Sequence, residues 1–208
     1  MTLAREIQIT IQLLLCVAGL TVFAASAGAQ SPAGPSIADI DWPSPDGKFA
    51  FVTSYGEDLH SIDLIDKQSG AKLQRIDEQD SSLVNWHVLW APDSNRFALM
   101  TRSGHPIQGV DVYRRRGETF QRIDLLDLPG ADIPEKLRHG KKFPHVASLN
   151  WQEAKVWNKD GSLVVTIDTM IDGAGSSITA TRTVVLGFDR AGKASIVKST
   201  IKYATERD

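Results

Sequence analysis

The segment Trp90-Ala91-Pro92-Asp93-Ser94-Asn95-Arg96-Phe97-Ala98-Leu99-Met100 constrains this chain more than any other. An aromatic residue closes one apolar run, Pro-Asp-Ser-Asn reverses the chain, and Phe97 opens the next run. Proline presets φ at a turn corner, while Asp, Ser and Asn bond their own backbone or tolerate left-handed φ. The segment therefore reads as strand, tight turn, strand. It is not alone. Trp42-Pro43-Ser44-Pro45-Asp46-Gly47-Lys48-Phe49-Ala50-Phe51-Val52 has its Phe seven positions after its Trp, as Trp90 and Phe97 do. Trp157-Asn158-Lys159-Asp160-Gly161-Ser162-Leu163 is a looser third copy. Beyond the turn, Ile62-Asp63-Leu64 answers Val110-Asp111-Val112. Likewise Leu73-Gln74-Arg75-Ile76-Asp77 answers Phe120-Gln121-Arg122-Ile123-Asp124. The offsets are 48 for the Trp pair, 48 for the second pair and 47 for the third. A period of this size marks stacked supersecondary units.

The repeat resembles that of TolB-type, WD-like β-propeller proteins, whose core runs Trp-Ser-Pro-Asp-Gly-Lys-x-apolar-Ala-apolar. Trp90 to Leu99 follows it, and Ser44 to Phe51 follows it with one residue missing before Phe49. The third copy has Asn158-Lys159 where Ser-Pro stands in the family. The resemblance covers about three repeats and most of the chain after residue 36. It implies four-stranded antiparallel blades in bacterial envelope or secreted proteins, and no single activity, since such folds host binding modules and enzymes alike.

The expected fold is all-β: antiparallel blades in an incomplete propeller-like stack, with one short helical insertion. In the first unit the expected strands are Ile37 to Trp42, Phe49 to Ser54, Leu59 to Ile65 and Leu73 to Ile76. In the second they are Leu83 to Trp90, Phe97 to Thr101, Val110 to Arg114 and Phe120 to Leu125. Val84, Trp86, Val88 and Trp90 share one face of their strand. Leu83, Asn85, His87 and Leu89 share the other, with both faces expected at least partly buried. Trp90 and Trp157 lie 67 residues apart, about 19 more than the previous step, so residues 126–147 hold an insertion. Asp132 to His139 reads as one or two helical turns capped by Asp132, with Glu135 in the first turn and Gly140 ending it. Leu126, Leu128, Ile133, Leu137, Phe143 and Val146 suit it to cover a blade whose edge would otherwise be bare. The third unit is expected at Leu149 to Lys155, Leu163 to Met170, Ile178 to Phe188 and Ala194 to Tyr203. In its last strand Val197, Ile201 and Tyr203 alternate with Lys198 and Lys202, as in a half-buried strand, before a frayed tail from Ala204.

Residues 1–29 read as a secretory signal peptide. Arg5 is the positive end, Leu13 to Ala25 the apolar core, and Ala27-Gly28-Ala29 the small-residue cleavage site. An uncleaved anchor is the alternative. A lipoprotein is not, because Leu15 stands before Cys16 where lipid attachment needs a small residue. Residues 30–36 are a flexible lead-in and 37–208 the repeat domain, so the mature chain is expected to be periplasmic or secreted, without a membrane span, and monomeric. Its only cysteine lies in the signal, and stability must come from packing. A net charge of −2 argues against a nucleic-acid binder.

No Gly-x-Ser-x-Gly elbow and no His-Glu-x-x-His occurs. Asp46, Asp93 and Asp160 recur in turns, where their task is to bond the backbone. Trp42, Trp90 and Trp157 occupy the position at which a repeat buries its aromatic residue. Trp86 and Trp151 are freer, and either could be partly exposed as a binding surface. Lys136, Arg138, His139, Lys141 and Lys142 in the insertion form either a solvated loop or a patch for an anionic glycan or acidic protein. Two functions stay open at this point: an exported binding module with a protein or anionic-glycan partner in the cell envelope, or a hydrolase whose site is assembled from loops of different blades. Neither calls for a cofactor.

Overall fold

In the computed structural model, residues 40–56, 59–80, 84–103, 108–173 and 175–207 are described. All belong to the unit Pro35–Asp208. The signal peptide, the lead-in and Ile37 to Asp39 of the expected first strand lie outside the described residues, as do Leu83 and Asp208.

Among the described residues, twelve strands form three four-stranded sheets, each paired in chain order as an antiparallel meander. Blade 1 holds β1 (Ile40–Asp41), β2 (Phe49–Tyr55), β3 (His60–Asp66) and β4 (Lys72–Gln79). Blade 2 holds β5 (Val84–Trp90), β6 (Arg96–Ser103), β7 (Gln108–Arg116) and β8 (Thr119–Ile123). Blade 3 holds β9 (His145–Trp157), β10 (Leu163–Gly173), β11 (Ser176–Phe188) and β12 (Ala194–Arg207). Among the described residues the fold is all-β, with blades in a propeller-like stack and one helical turn, α1 (Glu135–Arg138).

The repeated residues do repeated work. In each copy of the turn an Asp accepts from the backbone two residues on, at Lys48, Asn95 and Ser162. The residue after that Asp is left-handed each time: Gly47 (φ 73), Ser94 (φ 56) and Gly161 (φ 81). Its amide donates three residues back, to Ser44, Ala91 and Asn158. Successive turns then bond one another. Asp46 N donates to Ser94 Oγ at 3.0 Å, and Arg96 Nη1 donates to the Gly161 carbonyl at 2.8 Å. The repeated Trp residues also link blade to blade, Trp90 Nε1 to the Trp42 carbonyl (2.8 Å) and Trp157 Nε1 to the Leu89 carbonyl (3.0 Å). The Asp and Arg of the distal echo are cross-strand ion pairs, Asp63 with Arg75 in blade 1 and Asp111 with Arg122 (2.8 Å) in blade 2.

Two apolar layers hold the blades together. Between blades 1 and 2 lie Phe49, Phe51, Trp86, Phe97, Tyr113 and Phe120, with Trp90 against them. Between blades 2 and 3 lie aliphatic residues, among them Met100, Val110, Val112, Val165, Ile167 and Leu186, with Trp157. The long β10–β11 hairpin reaches beyond blade 2, and the insertion covers the same face there. Ala131 and Ile133, with Leu137 and Phe143, pack on Ile171, Ile178 and Ala180. Gly173 (φ 149) lets this cover approach, since a Cβ there would stand 2.6 Å from Pro144 Cδ. The insertion thus covers part of a face, not an edge, and Leu126 and Val146 remain exposed.

Several expectations are corrected. Asp132 does not cap the helix. The cap position is Pro134 (φ −59, ψ 140), with no side-chain bond, because proline forces the residue before it out of helical φ/ψ. His139 ends the turn in left-handed φ, one residue before Gly140. The last strand is neither half-buried nor frayed. β12 pairs with β11 through Arg207, and Val197 (68%), Ile201 (47%) and Tyr203 (43%) are exposed. It is the outermost strand of its blade. A bulge also skips Val197, since Val185 faces Lys198 while Leu186 faces Ile196. On β5 the second face is open at Asn85 and His87. Finally, the tryptophans exchange roles: Trp86 is 2% exposed and donates to Asp77 at 2.8 Å, whereas Trp42 is only half-buried.

Candidate binding cleft

The face that blade 2 turns toward blade 3 is apolar at Ala98, Met100, Val110 and Val112. By the two-residue period the same face continues through Asn85 and His87 on β5, Arg102 on β6 and Gln108 on β7. The registers His87↔Met100, Asn85↔Arg102 and Arg102↔Gln108 place these residues side by side. Where the face turns polar, the blades part into a cleft of about 500 Å³. Trp42 and the β9 residues Trp151 and Glu153 also line it.

Each aromatic ring is positioned by a backbone device. Trp42 has φ 46, its carbonyl is held by Trp90 Nε1, and its ring meets His87 edge-on at 6.0 Å. Trp151 follows Asn150, a non-glycine residue at φ 52, within a stretch where β9 slips register against β10. Such irregularities re-aim a side chain. Asn150 Oδ1 accepts from Gly130 N at 2.8 Å, so the insertion anchors the strand that presents Trp151. The neighbouring Gln152 ties β9 to blade 2, its carbonyl accepting from Gln108 Nε2 (2.8 Å) and its Oε1 from Val110 N (3.3 Å). The Arg102 guanidinium lies 5.1 Å from the centre of the Trp151 ring, and Lys155 pairs with Glu153 at 2.5 Å. A cation held over an indole is stabilised by the ring quadrupole.

Of the residues singled out in the sequence, Trp151 lines this cleft with its ring half-buried. Trp86 borders it, but with a buried indole. None of Lys136, Arg138, His139, Lys141 and Lys142 lines it. Arg138 is half-buried, pairs with Glu135 at 3.6 Å and borders a separate cleft of about 340 Å³ beside Asn150 and Thr169, while the other four are exposed. The sequence reading missed Trp42, Asn85, His87, Arg102, Gln108 and Glu153. The signal available was the polar start of β5, where Asn85 and His87 break an otherwise apolar strand.

The chain was compared with known proteins. No family model matches it, and no curated protein does. Among solved structures, a Lactobacillus plantarum protein is similar at TM-score 0.37 and 13% identity, over 78% of this chain and 43% of that one. TolB from Acinetobacter baumannii is similar at TM-score 0.37 and 12% identity, over 79% and 42%. The chain spans about two fifths of the length of either protein.

Among the described residues no group of three His, Cys, Asp or Glu side chains could hold a metal, and no hydrogen bond joins His87 to Glu153. The shifted carboxyls lie elsewhere. Burial raises the Asp111 carboxyl above its ordinary value, against the pull of Arg122 and with a smaller push from Asp77. Burial likewise lifts the Tyr113 hydroxyl to about 12, helped by Asp111. In the first turn, burial opposes ionisation of Asp46. Hydrogen bonds from Ser44 and the Lys48 amide outweigh it and hold the carboxyl low. The two kinds of shift act on stability in opposite directions. A raised carboxyl binds more protons folded than unfolded, so its contribution is full below the unfolded value of about 3.9 and is lost as pH rises through the folded value. Asp46 contributes above that unfolded value and loses its contribution as pH falls. Asp111→Asn is therefore expected to gain stability relative to the parent chain as pH rises from about 4 to 7. Urea melts across that range check it, and a flat or falling difference would contradict the raised Asp111.

Proposed function

We propose that the protein is an exported binding module of the bacterial cell envelope, with a protein or glycan held in the aromatic cleft. The observation that carries this reading is the convergence of Trp42, His87 and Trp151, one from each blade, with Arg102, Glu153, Asn85 and Gln108. A few polar groups set among aromatic rings in a concave site are what recognition of a small ligand or extended chain needs. Indole faces stack on sugar rings or peptide side chains, and the charged and amide groups select among them. Export rests on residues 1–29, whose charged start, apolar core and Ala27-Gly28-Ala29 match a cleaved signal. Among the described residues no helix is long and apolar enough to cross a membrane. No observation favours the hydrolase alternative.

The experiment is capture from envelope extract with the full chain and two variants. Trp42→Ala with Trp151→Ala is expected to lose at least about 90% of the retained material, because aromatic anchors dominate recognition energies. Lys141→Gln with Lys142→Gln is expected to retain it. The opposite ranking would move the site to the basic insertion and sink the proposal.

A further inference from the structure

A second cleft, independent of the aromatic one, lies at the turn end of blades 2 and 3. It has a volume of about 630 Å³ and is lined in part by Arg96, Arg114, Arg115 and Arg190. Arg114 also lines an adjoining cleft of about 330 Å³, together with Arg116 and Lys193. The arginines are held in place. Arg114 Nη1 donates to the Arg190 carbonyl at 2.9 Å, and Arg116 Nη2 to the Ala191 carbonyl at 3.2 Å. Arg115 Nε donates to the Gly117 carbonyl at 2.8 Å, with its guanidinium 4.9 Å from the centre of the Phe49 ring. Gly192 (φ 93) brings the β11–β12 turn against Arg114, since a Cβ there would stand 3.1 Å from Nη1.

Carbonyls and rings orient these guanidiniums without cancelling their charge. Three aspartates share the cleft, and each has backbone obligations of its own. Asp93 accepts from Asn95 N and lies 3.5 Å from Arg96 Nη2, Asp160 accepts from Ser162, and Asp189 accepts from Lys193 N. Among the described residues no carboxylate pairs with Arg114, Arg115, Arg116 or Arg190. Arg114 and Arg116 reach from β7 to the β11–β12 turn that carries Arg190 and Lys193, whereas Arg115 takes the alternate face of the strand, over Phe49. The four cations on the shared side repel one another until an anion arrives. Each guanidinium has five N–H groups, and the carbonyls take one apiece from Arg114 and Arg116. What remains is a set of planar forks matched to phosphate oxygens.

We propose that this cleft is a binding site for a phosphoryl group, carried either by a soluble phosphate compound or by a lipid headgroup. Pyrophosphate is the probe for the soluble source, and vesicles containing phosphatidate in a phosphatidylcholine background are the probe for the lipid. Calorimetry on the full chain is expected to show saturable pyrophosphate binding that weakens by about tenfold between 50 and 200 mM salt, as screening of the charges requires. Arg190→Gln with Lys193→Gln is expected to weaken it at least about tenfold, the loss of two charge-assisted contacts. Among the described residues neither side chain makes a hydrogen bond or ion pair, so the thermal melt of this variant stays close to that of the parent. Arg190→Lys, with Lys193 intact, recovers only part of the affinity. Pyrophosphate binding without vesicle binding assigns the soluble source, whereas vesicle binding displaced by pyrophosphate assigns the headgroup. Failure of the parent chain to bind either probe overturns the proposal. So does binding that Arg190→Gln with Lys193→Gln leaves unchanged, or that Lys141→Gln with Lys142→Gln weakens as much.

Discussion

Phe97→Ala is expected to lower the unfolding free energy by about 3–5 kcal/mol, the cost of emptying a packed aromatic site. Phe97 is fully buried and is the hub of the layer between blades 1 and 2. Its ring stacks on Tyr113 at 4.8 Å and meets Phe51 and Trp90 at 5.1 Å and Phe120 at 5.3 Å. Tyr113 and Phe120 belong to its own blade, while Phe51 reaches it from blade 1. Removal therefore leaves a cavity bounded by two sheets, neither of which can close it without parting the ladder it belongs to. Urea melts check the figure. His139→Ala, at an exposed helix end, is expected to change stability by less than about 0.5 kcal/mol. If the two ranked the other way, the repeat would not be the core.

Trp157→Ala is expected to cost about as much, again roughly 3–5 kcal/mol, and for a second reason besides volume. Trp157 is 5% exposed, donates to the Leu89 carbonyl of blade 2 and carries the Arg96 guanidinium 5.0 Å from its ring centre. Arg96 in turn bonds the Gly161 carbonyl, so one side chain fixes both the strand contact and the turn contact between blades 2 and 3. Trp157→Phe separates these parts. It keeps most of the apolar area and loses only the indole hydrogen bond to the Leu89 carbonyl, at a cost of about 0.5–1.5 kcal/mol. If Trp157→Phe were as damaging as Trp157→Ala, packing would not be the larger share.

The architecture was legible because the repeat is written in residues whose roles recur. A Trp stands at the end of each first strand, an Asp bonds its turn, and an Asp–Arg pair bridges the two outer strands of blades 1 and 2. What was not legible depended on neighbours. Trp86 and Trp151 look alike in sequence, each directly after an Asn that itself follows an aliphatic residue. Trp86 is buried because blade 1 supplies Asp77 to its indole, whereas Trp151 emerges because Asn150 takes left-handed φ and the insertion holds it there. Asn85 and His87 share a face with Leu89, and alternation alone could not show that blade 3 packs on one end of that face and leaves the other open. The run Arg114 to Arg116 reads as a solvated surface until the β11–β12 turn, about 75 residues away in the chain, is brought against it.

The location of the ligand is the central claim, and the five indole N–H signals of the ¹⁵N spectrum test it most directly. The fraction eluted from the captured full chain is titrated into labelled protein. The signals of Trp42 and Trp151 are expected to shift saturably, while those of Trp90 and Trp157, bonded to the carbonyls of Trp42 and Leu89, hold nearly still. Shifts confined to Trp86, Trp90 and Trp157, or no indole shift at all during saturable binding, would contradict a ligand in the aromatic cleft.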